Sequence, residues 1–152
     1  MLETKYNIIE DEWVEVNEPI ESYDTGLNQF TYKIIGCCFD VYNELGKGFL
    51  EIVYKDALEY EFKKRNIVFE REKKYKIHYK DIILKHYYVA DFVVENCVIF
   101  EVKAQSGIIE DHYKQVINYL AASKCDFALL VNFAENSLKY KRIILSKNKN
   151  SR

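Results

Sequence analysis

Two apolar segments of this chain are each broken by ionisable side chains: Asp91 within VADFVV, and Glu101 with Lys103 within VIFEVKA. An unpaired carboxylate in so apolar a setting is expensive to bury, so each acid needs a cation, hydrogen bonds or a sheet edge. Both segments are rich in β-branched and aromatic residues, which reads as strand. Side chains alternate across a strand, so Glu101 and Lys103 share one face and Val102 takes the other. Whether Asp91 joins them depends on the connection after Val94. An odd turn such as Glu95-Asn96-Cys97 sets Asp91 opposite Glu101, whereas a two-residue turn sets it opposite Phe100. A shared site therefore requires an odd loop or a bulge.

The rest of the chain supplies the frame. Ile34, Ile35, Cys38, Phe39 and Tyr42 recur at helical spacing over residues 30–45, and Gly46-Lys47-Gly48 ends the pattern. A second helix follows over 50–65, with Leu50, Tyr54, Ala57, Leu58 and Phe62 as its buried stripe and charge on its far side. Beyond Asn66 the period changes toward two, giving antiparallel strands up to Val94 and the buried strand CVIFEVKA. Tyr113, Val116, Ile117 and Leu120 mark a helix over 111–123, DFALLVNF is a further strand, and 140–145 adds an edge strand. The order predicts an α/β domain in which the third helix crosses over between strands and permits a parallel pairing.

With 49% hydrophobic and 30% charged residues, the chain holds too much apolar matter to stay disordered. No apolar run approaches the roughly 20 residues of a membrane span. The start MLETKYNIIEDEW lacks the basic opening and apolar run of a secretory signal, so a cytoplasmic location is expected. Four cysteines without CxxC spacing read as reduced, mostly buried thiols rather than a zinc site. Of 22 basic and 24 acidic residues, one and eight fall within residues 1–30, leaving 21 and 16 for the remainder. A mildly basic body thus follows an acidic leader, which is either a solvated tail or a lid over a basic groove.

Asp91, Glu101 and a backbone carbonyl together would make an all-oxygen site, suited to Mg²⁺ or Mn²⁺ rather than zinc. With Lys103 to hold a hydroxide or a phosphate oxygen, these are the minimal parts for hydrolysing a phosphodiester. The same spacing also fits an ordinary buried ion-pair network. His112 lies three residues before Gln115 on one helical face, placed either to reach the site as proton shuttle or phosphate donor or to stay on the helix surface. His78 and His86 have no ligand spacing.

A series of motifs adds a resemblance. Gly48-Phe49-Leu50-Glu51-Ile52-Val53-Tyr54 carries the signature of the GxxExxY family, and the similarity runs in order over about 115 residues. It includes TYKIIG from Thr31, ELGKG from Glu44, Ala57-Leu58, ADF from Ala90, EVKA from Glu101, QVINYL from Gln115 and LVNF from Leu130. The chain resembles a branch of the PD-(D/E)xK nuclease superfamily. That resemblance implies a restriction-endonuclease-like core, a mixed central sheet flanked by helices, spanning residues 29–147 between a leader (1–28) and a flexible tail (148–152). It implies Glu51, Asp91 and Glu101 as ligands of Mg²⁺ or Mn²⁺, Lys103 as the catalytic lysine, and Gln115 as the glutamine on the following helix. Position 89 is Val where many relatives carry Arg, so a phosphate contact is missing there or comes from Lys85 or Lys114. The implied activity is metal-dependent phosphodiester hydrolysis, on DNA rather than RNA, with no membrane partner. The alternative is a silent nuclease-fold binding module within a larger complex. A two-carboxylate glycosidase is disfavoured by the adjacent lysine.

Overall fold

The computed structural model describes residues 25–125 and 127–144. The acidic leader up to residue 24, with its lid role, and the frayed tail lie outside the described residues. The elements run α1 (Thr25–Leu45), α2 (Glu51–Lys64), β1 (Phe69–Tyr79), β2 (Ile82–Val94), β3 (Val98–Lys103), α3 (Glu110–Ala122), β4 (Phe127–Asn132) and β5 (Lys139–Ile144). The five strands form one sheet in the order β1-β2-β3-β4-β5. All neighbours are antiparallel except β3 and β4, which are parallel and joined by α3. This is the mixed, helix-flanked α/β sheet expected of a restriction-endonuclease-like core, with the parallel pair where a crossover helix allows it.

β3 sits at the centre, and all six of its residues are buried. Its alternate side chains feed two cores. Val98, Phe100 and Val102 face α1 and α2 and pack with Ile34, Cys38 and Leu58. Ile99 joins Val116 and Leu120 of α3 on the opposite face. Phe62 anchors the first core, meeting Phe92 edge-on at 5.3 Å between ring centroids and Phe69 at 5.5 Å. Burying each such ring contributes roughly 1.5–3 kcal/mol, enough to fix how α2 lies on the sheet.

The turn between β2 and β3 decides the placement of Asp91. Val94 pairs with Val98, so Glu95, Asn96 and Cys97 form a three-residue loop. Glu95 and Asn96 adopt left-handed φ values of 52° and 54°. Asn enters that region readily and Glu less so. With this odd count, the register Phe92↔Phe100 leads directly to Asp91 facing Glu101.

β2 pairs with β3 only over Phe92–Val94, yet it pairs with β1 over nearly the whole hairpin. The two central strands therefore fork at Asp91. Across the hairpin, Glu72 has a φ of 53°, unusual for a non-glycine residue in a strand. The hairpin turns over at this point. Phe69 packs on the α2 side with Phe62, whereas Tyr75 and Tyr88 pack with the α3-side core.

Candidate active site

The fork leaves polar groups that the β-ladder no longer serves, and side chains take them over. The Val102 amide donates to Asp91 Oδ2 at 2.9 Å, and the Asp91 amide donates to Glu101 Oε1 at 2.9 Å. Each acid thus satisfies the other strand's backbone, which answers the demand that a buried carboxylate find donors. Lys103, next on the same face of β3, donates to Gln115 Oε1 at 3.0 Å, and Gln115 Nε2 donates to the Tyr119 hydroxyl at 2.8 Å. Gln115 and Tyr119 are one helical turn apart on α3, so the pair forms a bracket for the lysine.

Glu51 approaches from the other side, in the first turn of α2. Its carboxyl is pushed up by burial, while the Lys103 ammonium pulls it down and the Asp91 charge pushes it up again. The GxxExxY spacing has a physical basis here. Gly48 has a φ of 110°, which a side chain would make strained. Tyr54, fully buried one turn after Glu51, donates its hydroxyl to the Gly46 carbonyl at 2.7 Å and accepts from the Phe49 amide at 3.3 Å. Its ring stacks on Phe133 at 4.5 Å. Tyr54 therefore pins the loop that leads into α2 and sets where Glu51 begins. Tyr54→Phe keeps the stack and strands the carbonyl, so a loss of about 1–2 kcal/mol in a urea unfolding curve is expected. An unchanged midpoint would show that the loop does not depend on the hydroxyl.

Glu101 is the most perturbed acid. It is 2% exposed, and burial, followed by the Asp91 charge, pushes its carboxyl up to about 9. Lys103 acts the other way without cancelling this. Burial is the larger of the two causes, so a cation placed against Glu101 would favour its charged form.

Two residues at the site were not among the expected ones. Lys55, one turn after Glu51, is buried and donates to Asp91 Oδ1 at 2.8 Å and to Glu72 Oε1 at 3.2 Å. Burial pulls its ammonium down, but Asp91 and Glu72 outweigh that, so its net shift is upward. The only sequence signal was its i+4 relation to Glu51, which puts both on one helix face. Glu72 gave none, because nothing in its local sequence favours a left-handed backbone.

His112 does not stay on the helix surface. It is buried, and its Nδ1 accepts the Ile109 amide at 3.2 Å, closing the first turn of α3. Burial and then the Lys103 charge hold its imidazole below its usual range. Two lysines are the suggested substitutes for an arginine at position 89. Lys114 pairs with Glu110 at 3.4 Å, and Lys85 stands six residues before Asp91, about 20 Å along β2 at ~3.3 Å per residue. Lys55 is the cation beside Asp91.

Asn132, at the end of β4, ties down the exit from β3. It is fully buried; its Oδ1 accepts from the Gln105 amide at 3.2 Å, and its Nδ2 donates to the Gln105 carbonyl at 2.9 Å. This clamp holds the strand end on which Lys103 sits.

Asp91, Glu101 and Lys103 thus form one hydrogen-bonded cluster, Gln115 holds the lysine, and Glu51 faces the same charges. An all-oxygen donor set of this kind fits a hard divalent cation. Among the described residues, however, no three His, Cys, Asp or Glu side chains converge closely enough to hold a metal as they stand. Lys55 occupies one of the Asp91 oxygens. No helix among the described residues is long and apolar enough to cross a membrane.

Residues 28–143 match a family model described as the PD-(D/E)XK nuclease superfamily. No curated protein matches the chain. A solved structure titled "Crystal structure of SSO0001" is similar, with a TM-score of 0.50 and 19% identity over 80% of this chain and 60% of the other. The chain thus spans about 60% of that protein's length, and the likeness speaks to the fold alone.

Proposed function

The chain belongs to the PD-(D/E)XK nuclease superfamily, and on that premise we propose that it is a divalent-metal-dependent nuclease that hydrolyses phosphodiester bonds, with DNA as its substrate, in the GxxExxY branch of the superfamily. One observation supports this above the others. Asp91 and Glu101 are locked together across the strand fork, beside Lys103, and Glu101 is held protonated up to about pH 9. A carboxyl whose ionisation is this costly, set beside Asp91 and Lys103, is one that a bound cation would bring to its charged form, a change that a closed ion-pair network does not require.

In this reading Asp91 and Glu101 hold Mg²⁺ or Mn²⁺, with Glu51 facing the same cation. The bound ion supplies water activation and neutralises charge building on the phosphate. The chain's own groups do the rest. Lys103, aimed by Gln115 and Tyr119, holds the attacking oxygen or a phosphate oxygen, and Glu51 stands on the α2 side of the acids. Lys55, paired with Asp91, would be the cation placed to meet the scissile strand's phosphates in place of the missing arginine.

A second reading, a silent nucleic-acid-binding module, is favoured by the Lys55–Asp91 ion pair, which occupies a proposed ligand. Titrating Mn²⁺ into the protein and into Asp91→Ala, with Mg²⁺-dependent cleavage of DNA and RNA followed in parallel, separates the two. The nuclease reading expects metal binding that Asp91→Ala weakens at least tenfold, together with cleavage. Binding unaffected by the substitution removes the proposed site. Metal binding without turnover on any substrate leaves the silent module.

A further inference from the structure

The β1–β2 hairpin continues past the fork, and we propose that its outward side is a docking surface for single-stranded nucleic acid, leading an unpaired strand toward Asp91. The link to cleavage rests on the nuclease reading above; the binding surface itself does not.

The base of the hairpin is anchored on one side only. Tyr75 and Tyr88 face each other across the strands, and Tyr88 meets Tyr119 of α3 edge-on at 5.4 Å. The opposite side carries Lys74 paired with Val89 and Lys76 paired with Tyr87. The Lys74 ammonium lies 5.0 Å from the centre of the Tyr87 ring, and Lys80 lies 5.4 Å from that of Tyr79. Both rings are about half exposed, and every residue from His78 to Tyr87 is exposed.

Charge selects the kind of partner. Residues 73–87 contain five lysines against a single acid, Asp81, in a chain whose overall charge is −2. Lys74, Lys76, Lys80 and Lys85 make no salt bridge among the described residues. Lysines on an edge strand such as β1 also block sheet-to-sheet pairing. That role does not account for the half-exposed rings, nor for Ile82, Ile83 and Leu84, all exposed at the tip. An apolar protein partner would have to desolvate four unpaired ammonium groups, which is costly. A phosphate backbone neutralises them instead and releases its counterions.

The rings then select the form of the polyanion. Tyrosines interleaved with lysines stack on bases whose faces are open, as they are in a single strand and not within a duplex. Tyr87 and Val89 alternate along one side of β2, which runs into the fork where the hairpin turns over at Asp91, about 13 Å from Tyr87 at ~3.3 Å per residue. A strand lying on this side is carried to the fork.

The test measures binding without cleavage, in metal-free buffer, by fluorescence anisotropy. Labelled oligothymidylate and a blunt duplex are titrated with the full chain, with Tyr87→Ala and with the double variant Lys74→Ala/Lys76→Ala. Both variants lie on the surface, and circular dichroism checks that they fold. The proposal expects tighter binding to the single strand and a loss of about tenfold for Tyr87→Ala. For the lysine pair it expects a salt dependence shallower by roughly 1.4 in log–log slope. Equal affinity of variants and wild type overturns it, as do equal affinity for duplex and single strand or no binding by wild type. So does a change in molar mass by light scattering in the variants, which would make the hairpin a self-association surface. A chain that binds through the hairpin yet never cleaves with Mg²⁺ leaves the surface standing and removes the nuclease reading. Cleavage and binding that ignore the hairpin variants do the reverse.

Discussion

Lys103→Met is expected to lower metal-dependent phosphodiester cleavage by about a thousandfold, the scale seen when a single preorganised electrostatic group is removed from a developing charge. Methionine preserves the volume and apolar stem of a side chain that is only 8% exposed, so the fold should survive. Gln115 touches the lysine and not the acids, so Gln115→Leu should misplace the ammonium without deleting it. A drop of about tenfold is expected there. The measurement is single-turnover cleavage of a labelled DNA at saturating Mg²⁺, with Mn²⁺ binding followed separately. If the methionine variant keeps more than about a tenth of wild-type activity, Lys103 is not part of the chemistry. If it loses activity and metal binding in equal measure, the lysine supports the acids rather than the substrate.

Glu101→Gln should separate stability from function in opposite directions. Burial and the Asp91 charge raise the Glu101 carboxyl from an ordinary value near 4.5 to about 9 in the folded chain. Between those values the native state retains a proton that the unfolded chain has released. Stability linked to that proton is therefore fully present below about pH 4.5 and is lost progressively as the pH rises to about 9. Glutamine cannot ionise, so in chelator the variant should gain on wild type in melting temperature as the pH is raised from 5 to 9. Its cleavage and metal binding should be abolished over the same range. Wild-type Mn²⁺ affinity should rise by up to about tenfold per pH unit below pH 9, because the ligand must first give up its proton. A difference in melting temperature that does not change with pH would show that the buried carboxyl is already ionised, through a donor the hydrogen bonds above do not include.

Local pattern carried much of this fold. Helical spacing in Ile34, Ile35 and Cys38, and in Tyr54, Leu58 and Phe62, follows from burying one face, and these residues are buried as their spacing requires, whereas Leu50, expected on the same stripe, precedes α2 and is 75% exposed. The strand identity of VIFEVK follows from its β-branched and aromatic residues, Val98, Ile99, Phe100 and Val102, and all six of its residues are buried in the central strand. Asp91 and Glu101 were legible as partners only conditionally, because turn length is a matter of one residue and Glu95 is a weak signal for a left-handed backbone. Lys55 was not legible. Its 36-residue separation from Asp91 is bridged by the docking of α2 on the sheet, which periodicity does not encode. His112 was legible only in part. Its spacing from Gln115 is real and it feels the Lys103 charge, but the nearer amide of Ile109 takes one of its two ring nitrogens, Nδ1.

The three-residue loop Glu95-Asn96-Cys97 has a consequence for how such a chain can change over time. Surface connections are ordinarily where insertions and deletions accumulate, because they touch little. In this one, gaining or losing a single residue would turn every side chain of β2 to the other side of the sheet relative to β3. Phe92 would leave its ring contacts, and Asp91 would leave Glu101. A length change there cannot drift in one step while both core and acid pair are retained, whereas substitutions within the loop are limited only by the left-handed backbone at Glu95 and Asn96. Variants of this chain should therefore tolerate new residues at that corner far better than new lengths, although the loop itself contributes no atom to the site.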